Sequence, residues 1–201
     1  MSTAPPPDVV DAIVGIEPGS TLDALRRRRP VTRTETQTSF DALFAPRSAD
    51  EVTLAERALV AAFVTRVTGD DDTAAFYRDR AAAIDPDRAG IVAAEASAAA
   101  ASGPFGRYAE PGLQHENTEG LRYRADDAVR AELGERLATA LEHAHLLVLR
   151  PREADAAALA ALTEAGWSVD GIVTLSQLVA FLSLQQRVVA GLQTIAEEAA
   201  A

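Results

Sequence analysis

The stretch that most constrains the fold runs over residues 54–83, where one glycine and three consecutive aspartates separate two apolar segments. Thr53 and Glu56 have the spacing of a capping box, so a helix is predicted to begin between them. Apolar residues cover most of that helix, a pattern typical of a core position. Gly69 suits the left-handed residue that ends a helix, and the aspartates after it can cap the next helix.

The rest of the chain also favours helices, because no segment keeps the alternating pattern of a β-strand. Asp85 followed by Pro86 predicts a capped helix start. One amphipathic helix is expected from about Ala125, because apolar residues recur there every three or four positions: Val129, Leu133, Leu137, Leu141 and Ala144. The fold is therefore predicted to be all-α. Residues 1–19 are interpreted as an N-terminal arm and residues 20–201 as one helical domain.

Composition excludes several function classes. Thirty acidic against 19 basic residues give a net charge of −11, which argues against nucleic-acid and anionic-membrane partners. The chain has no cysteine, which excludes disulfides and thiol-dependent peroxidase chemistry. The N-terminus does not have the pattern of a signal peptide, and no apolar run reaches the ~20 residues of a membrane helix, so a cytoplasmic location is expected.

The segment LAERALVAAFVTRVTGDDDTAAFYRDRAAA resembles the core motif of the alkylhydroperoxidase D-like (AhpD-like) and carboxymuconolactone decarboxylase superfamily. Redox members of that superfamily have a Glu early in one helix and Cys-x-x-Cys-x-x-x-His at the start of the next. On this chain the Glu falls on Ala58, the cysteines on Asp70 and Thr73, and the His on Tyr77. The resemblance implies a cysteine-less, degenerate branch with an AhpD-like helical fold.

A looser resemblance covers residues 165–189, AGWSVDGIVTLSQLVAFLSLQQRVV, which is similar to a later helix of the same superfamily. The motif positions make Tyr77, Thr73 and Asp70 the candidate catalytic residues. Tyr77 would act as a general acid or as a hydrogen-bond donor to a small ligand; the alternative is a half-buried ring with a satisfied hydroxyl. Helix capping is the alternative for Asp70, and an ordinary first-turn position is the alternative for Thr73.

The histidines give weaker signals. His143 and His145 are two residues apart on a predicted helix, so they point in different directions and a shared metal is not expected. His115 lies with Glu116 and Glu119 in the irregular segment 103–126, and a loop of that length is either functional or mobile. No cofactor and no metal are predicted.

Two main functions follow from the resemblance. The first is a small-ligand-binding protein or an assembly partner of a redox-active AhpD-like relative. The second is a cofactor-free acid–base enzyme, a lyase acting on a small carboxylate that Arg66, Arg78 or Arg187 would neutralise. A purely structural protein is a third possibility. Broad alanine-rich helical faces, and the oligomers typical of the superfamily, predict a homodimer or a larger homo-oligomer.

Overall fold

The computed structural model describes residues 8–200, and the predicted loose segment Met1–Pro7 lies outside them. The predicted all-α class is confirmed, since the described chain forms ten α-helices and two short 3-10 helices and no strand. The 3-10 helices are Pro111–Glu116 and Pro151–Glu153. The α-helices are α1 (Val9–Val14), α2 (Thr21–Arg27), α3 (Pro30–Phe44), α4 (Leu54–Thr68), α5 (Asp72–Ile84), α6 (Pro86–Ala98), α7 (Asp127–Leu133), α8 (Glu135–Leu149), α9 (Ala156–Glu164) and α10 (Val169–Ala200).

Helix α4 lies at the centre of the fold, in contact with α3, α5, α6, α8 and α10. The predicted capping box begins it: the Thr53 hydroxyl accepts from the Glu56 N–H at 3.1 Å, and the Glu56 carboxylate accepts from the Thr53 N–H at 2.8 Å. Its side chains are buried on every face, including Ala58, Leu59 and Phe63. Neighbouring helices must therefore surround α4, which explains why the chain needs no sheet to build its core.

The turn between α4 and α5 differs from the prediction at Gly69. This residue has φ −174°, which is extended backbone, so the expected left-handed conformation is wrong. A side chain here would crowd the Asp71 carboxylate and the Gln186 amide, whose nearest atoms lie 3.2 and 3.3 Å from the added Cβ position. Asp71 caps α5 by accepting from the Ala74 N–H at 2.9 Å. Gly69 thus leaves room for a contact with α10.

The single helix expected from about Ala125 is also wrong, because Gly134 divides it into α7 and α8. Gly134 has φ 81°, a backbone conformation that interrupts an α-helix and that glycine adopts at little cost. The start of α6 agrees with the prediction: the Asp85 side chain accepts from the Arg88 N–H, and Pro86 occupies the first turn.

Helix α10 spans 32 residues and contacts α1, α3, α4, α8 and α9. Its segment Val169–Glu198 is long and apolar enough to cross a membrane by length and composition, which the sequence interpretation did not anticipate. A core helix of a globular protein has the same property, and α10 buries Leu175, Leu178 and Leu182 in the main hydrophobic cluster. Val9 and Val10 of α1 pack with Val189 and Leu192 of α10. The proposed domain boundary at residue 19 stays a prediction.

Candidate functional site

Tyr77, the main candidate from the sequence, lies in the packed interior. It is fully buried, and its hydroxyl donates to the Gln185 side-chain oxygen of α10 at 2.6 Å. Its ring centroid lies 5.2 Å from that of Phe44 and 5.0 Å from that of Phe76. Burial raises the pKa of Tyr77 above its ordinary value, so the phenol stays protonated and can act as a donor but not as a base.

The other motif positions occupy different environments. Thr73 is fully buried and its hydroxyl has no hydrogen-bond partner, and Ala58 is buried within α4. Asp70 is exposed before α5 begins, 3.7 Å from Arg66. The structure therefore brings Thr73 and Tyr77 to the buried side of α5 and leaves Asp70 at the surface. The catalytic assignment of these residues stays a prediction.

The other sequence candidates are scattered. Arg66 and Arg78 line a small cleft of about 250 Å³ beside Ala62 and Ala74. Arg187 donates to the Ser183 carbonyl of its own helix at 2.7 Å. The exposed His115, Glu116 and Glu119 lie in and just after the first 3-10 helix.

A cleft lined by many ionisable groups lies between α8 and α9, beneath the segment 107–124, and has a volume of about 610 Å³. One face of α8 contributes a set of residues three or four positions apart: Thr139, Glu142, His143 and Leu146. Helix α9 contributes Ala157, Ala158 and Ala161, whose short side chains leave the cleft open. Tyr108 and Tyr123 add aromatic surface.

The cleft concentrates positive charge in an acidic protein. Five arginines and three carboxylates line it, so five minus three leaves an excess of two positive charges, whereas the whole chain carries −11. The arginines are Arg107, Arg122, Arg124, Arg150 and Arg152, and the carboxylates are Glu142, Glu153 and Asp155. Such a concave, positively charged surface attracts anions.

Glu153 holds two of these arginines at one end of the cleft. Its carboxylate accepts from Arg150 at 2.7 and 2.8 Å, pairs with Arg122, and accepts from the Arg107 N–H at 3.2 Å. The hydrogen bonds from Arg150 lower the pKa of Glu153 to about 2, with the positive charges of Arg150 and Arg122 acting in the same direction. Glu153 is therefore ionised at neutral pH and fixes the guanidinium groups around it.

Glu142 has the corresponding role on α8. This buried carboxylate pairs with Arg124 and Arg130 and accepts from the Ala125 N–H at 3.0 Å. Each of its two oxygens has a charged partner, so Glu142 has little capacity left for a ligand. Its contribution is to anchor the arginines that surround the cleft.

Arg152 is the cleft arginine without a carboxylate partner among the described residues. Its guanidinium lies 4.3 Å from the ring centroid of Tyr108. It donates to the backbone carbonyls of Gly106 and Glu116 through long contacts of 3.4 and 3.3 Å. A guanidinium held this way keeps its charge available for an anion.

Two neutral imidazoles complete the cleft. His143 is only 5% exposed, and neither of its ring nitrogens has a hydrogen-bond partner. Burial lowers the pKa of His143, and burial lowers the pKa of His145 to about 4, with the charges of Arg150 and Arg122 adding to the effect. The described residues contain no cluster of three potential metal-ligating side chains, so we consider the imidazoles as hydrogen-bonding groups.

Sequence reasoning did not identify this cleft. Its arginines come from the irregular segment 103–126 and from the α8–α9 connection, and no short motif links the two. The available signal was the concentration of Arg and Tyr at 107–108 and 122–124, inside a loop already considered functional or mobile. From the sequence, His143 is considered only as a metal ligand.

Comparison with known proteins gives no assignment: no protein-family model matches the chain, and a search of curated proteins finds no match. The AhpD-like resemblance therefore stays a proposal.

Proposed function

We propose that this protein binds a small organic carboxylate in the cleft between α8 and α9. The observation that carries the proposal is the convergence of five arginines on one cleft in a protein of net charge −11. One of them, Arg152, forms no ion pair with a carboxylate of the described residues. A planar guanidinium matches the two oxygens of a carboxylate and can donate to both.

The size and lining of the cleft favour a small organic molecule. A volume of about 610 Å³ lies within the ~300–1,000 Å³ range of ligand-binding pockets. Ala157, Ala158, Leu146 and the tyrosine rings offer apolar surface to the body of a ligand. A polyanion such as a nucleic acid would also meet the acidic remainder of the protein, which opposes its approach.

Isothermal titration calorimetry with matched ligands tests the proposal. Succinate and its neutral analogue succinamide have similar shapes, and only the charged compound is expected to bind. Arg152→Gln removes the unpaired charge and should weaken binding about 10- to 100-fold, the effect of losing a charged hydrogen bond. Arg28→Gln, on the exposed surface outside the cleft, is the matched control and should leave affinity unchanged. Equal binding of the two compounds, or equal losses in the two variants, would refute the proposal.

A cofactor-free acid–base enzyme acting on a small carboxylate is the second candidate, and His143 is the observation that favours it. A neutral imidazole beside guanidinium groups can take a proton from the carbon next to a carboxylate while the arginines stabilise the resulting charge. Nuclear magnetic resonance in D₂O would detect solvent exchange at that carbon. The expected result is exchange that His143→Gln abolishes, and no exchange with any carboxylate that binds would reject the enzyme candidate.

We also propose, from the resemblance, that the chain is a cysteine-less branch of the AhpD-like and carboxymuconolactone decarboxylase superfamily. The adjacent helices α4 and α5, each with a side-chain cap at its N-terminus, support this proposal. A cytoplasmic homo-oligomer, or an assembly with a redox-active relative, belongs to the same proposal. Light scattering at micromolar concentration should give at least a dimer mass, and a monomer mass would contradict the homo-oligomer.

A further inference from the structure

His143 gives the cleft a recognition element that the arginines do not explain. A neutral imidazole carries one hydrogen-bond donor and one acceptor, and both are unpartnered here in a side chain that is 5% exposed. Leaving a buried polar atom unpaired destabilises the folded protein, because no hydrogen bond replaces those that the atom made with water. An apolar residue at this position of α8 would avoid that cost.

Each of the other buried polar side chains of the cleft has at least one partner. Glu142 accepts from two arginines and a backbone N–H, and Arg150 donates to Glu153 and to the Gly120 carbonyl. The Thr139 hydroxyl donates to Glu135. The backbone of Ala99 provides one partner for the His145 ring, whose Nε2 has none. His143 alone in this buried set has a donor and an acceptor both available.

We propose that His143 selects a hydroxyl group on the bound acid, so that the ligand class is the small hydroxycarboxylates. This inference rests on the proposed carboxylate binding and adds a second chemical requirement to it. A hydroxyl can donate to one ring nitrogen or accept from the other, so it pairs with either tautomer of a neutral imidazole. An amine would be cationic at neutral pH, and the excess positive charge of the cleft would repel it.

The position of His143 suits this role. It lies on the same face of α8 as Thr139 and Leu146, which also line the cleft, so a ligand whose carboxylates reach the arginines places its carbon chain along that face. The ring nitrogens are themselves screened from water, so a ligand hydroxyl reaches one of them only when the imidazole turns about its Cβ–Cγ bond toward the cleft. A hydrogen bond formed in such a water-poor place discriminates strongly, since a ligand without the hydroxyl leaves the imidazole unpaired.

Calorimetric titration with malate and succinate tests the inference, because these acids have the same carbon skeleton and charge and differ by one hydroxyl. One enantiomer of malate is expected to bind wild-type protein about tenfold or more tightly than succinate. His143→Leu should bring the two affinities within about twofold of each other by weakening malate, with the affinity for succinate unchanged. His143→Asn, which restores a donor and an acceptor, should recover part of the preference. His115→Leu, at an exposed position outside the cleft, should keep all of it.

The outcomes separate the two proposals. If both acids bind wild-type protein equally, or if His143→Leu keeps the preference for malate, the hydroxyl inference is overturned while carboxylate binding stands. If neither acid binds, both are overturned. Should His143→Leu fail to fold, His143→Asn is used in its place. The inference is overturned if this variant binds malate as tightly as wild type does and binds succinate more tightly than wild type does.

Discussion

Lowering the pH from 7 to 5 should destabilise this protein through His145, a side chain that is only 1% exposed. Burial lowers its pKa to about 4 in the folded state, against 6.5 in an unfolded chain. Between these values the unfolded state binds a proton that the folded state does not, so stability decreases as the pH falls. The two pKa values give a loss of about 2 kcal/mol at pH 5, approaching about 3 kcal/mol near pH 4.

The acidic groups with lowered pKa values contribute little to the change in stability between pH 6.5 and 5, so most of that change comes from the buried imidazoles. The pKa of Glu153 is lowered from 4.5 to about 2, and Asp23 and Asp85 are also lowered from 3.8, so their contributions are lost mainly below pH 4.5. His143 has a lowered pKa as well and acts in the same direction as His145. The slope of stability against pH between 6.5 and 5 therefore reports on the two histidines that line the cleft.

Urea denaturation followed by circular dichroism at pH 7, 6 and 5 measures this slope. His145→Gln cannot titrate, so the variant should lose about 2 kcal/mol less than wild type between pH 7 and pH 5, whatever its stability at pH 7. His115→Gln, at an exposed position, should show the wild-type slope. Equal slopes for wild type and His145→Gln would refute the argument that the buried imidazole resists protonation.

Further substitutions test the fold and the cleft. Asp71→Ala removes the cap of α5 and a 2.8 Å hydrogen bond from Gln186, and should cost about 1–2 kcal/mol in urea denaturation. Arg136→Ala leaves the largely buried Glu56 without its ion-pair partner at 2.6 Å and removes a guanidinium that lies 3.9 Å from the Trp167 ring centroid. We therefore expect the free energy of unfolding to fall by about 3 kcal/mol. Ala158→Leu should fill part of the cleft and weaken carboxylate binding at least about tenfold with little change in stability. Ala160→Leu, an exposed position of α9 that does not line the cleft, should bind normally in the same titration.

Features set by neighbouring residues were predictable from the sequence. The capping box of Thr53 and Glu56, and the start of α6 at Pro86, involve side chains and backbone groups within one turn. Features set by distant contacts were not. Gly69 is extended beside Gln186, which lies more than a hundred residues later in the chain, and local glycine preference contains no information about that neighbour.

The cleft was unpredictable for a related reason. Arg124 and Glu142 meet across 18 positions, and Arg122 and Glu153 across 31, so their pairing depends on how α8 returns beneath the loop. The motif positions on α5 were identified by resemblance, which matches residues to positions of the motif but contains no information about their burial. The full burial of Tyr77 arises from its contacts with α3 and α10, and those partners lie outside the motif.

Helix α8 links the core to the cleft, because its two faces have different partners. Leu137, Leu141 and Ala144 are buried in the main hydrophobic cluster, against the central helix α4, whereas Glu142 and His143 face the cleft. The core packing fixes the rotation of α8, and Glu142 then fixes Arg124 and Arg130 through its two oxygens. Few groups need to be ordered when a ligand arrives, so little of the attraction between the arginines and an anion is lost to reorganisation. The stability of the core and the affinity of the cleft are therefore coupled through one helix.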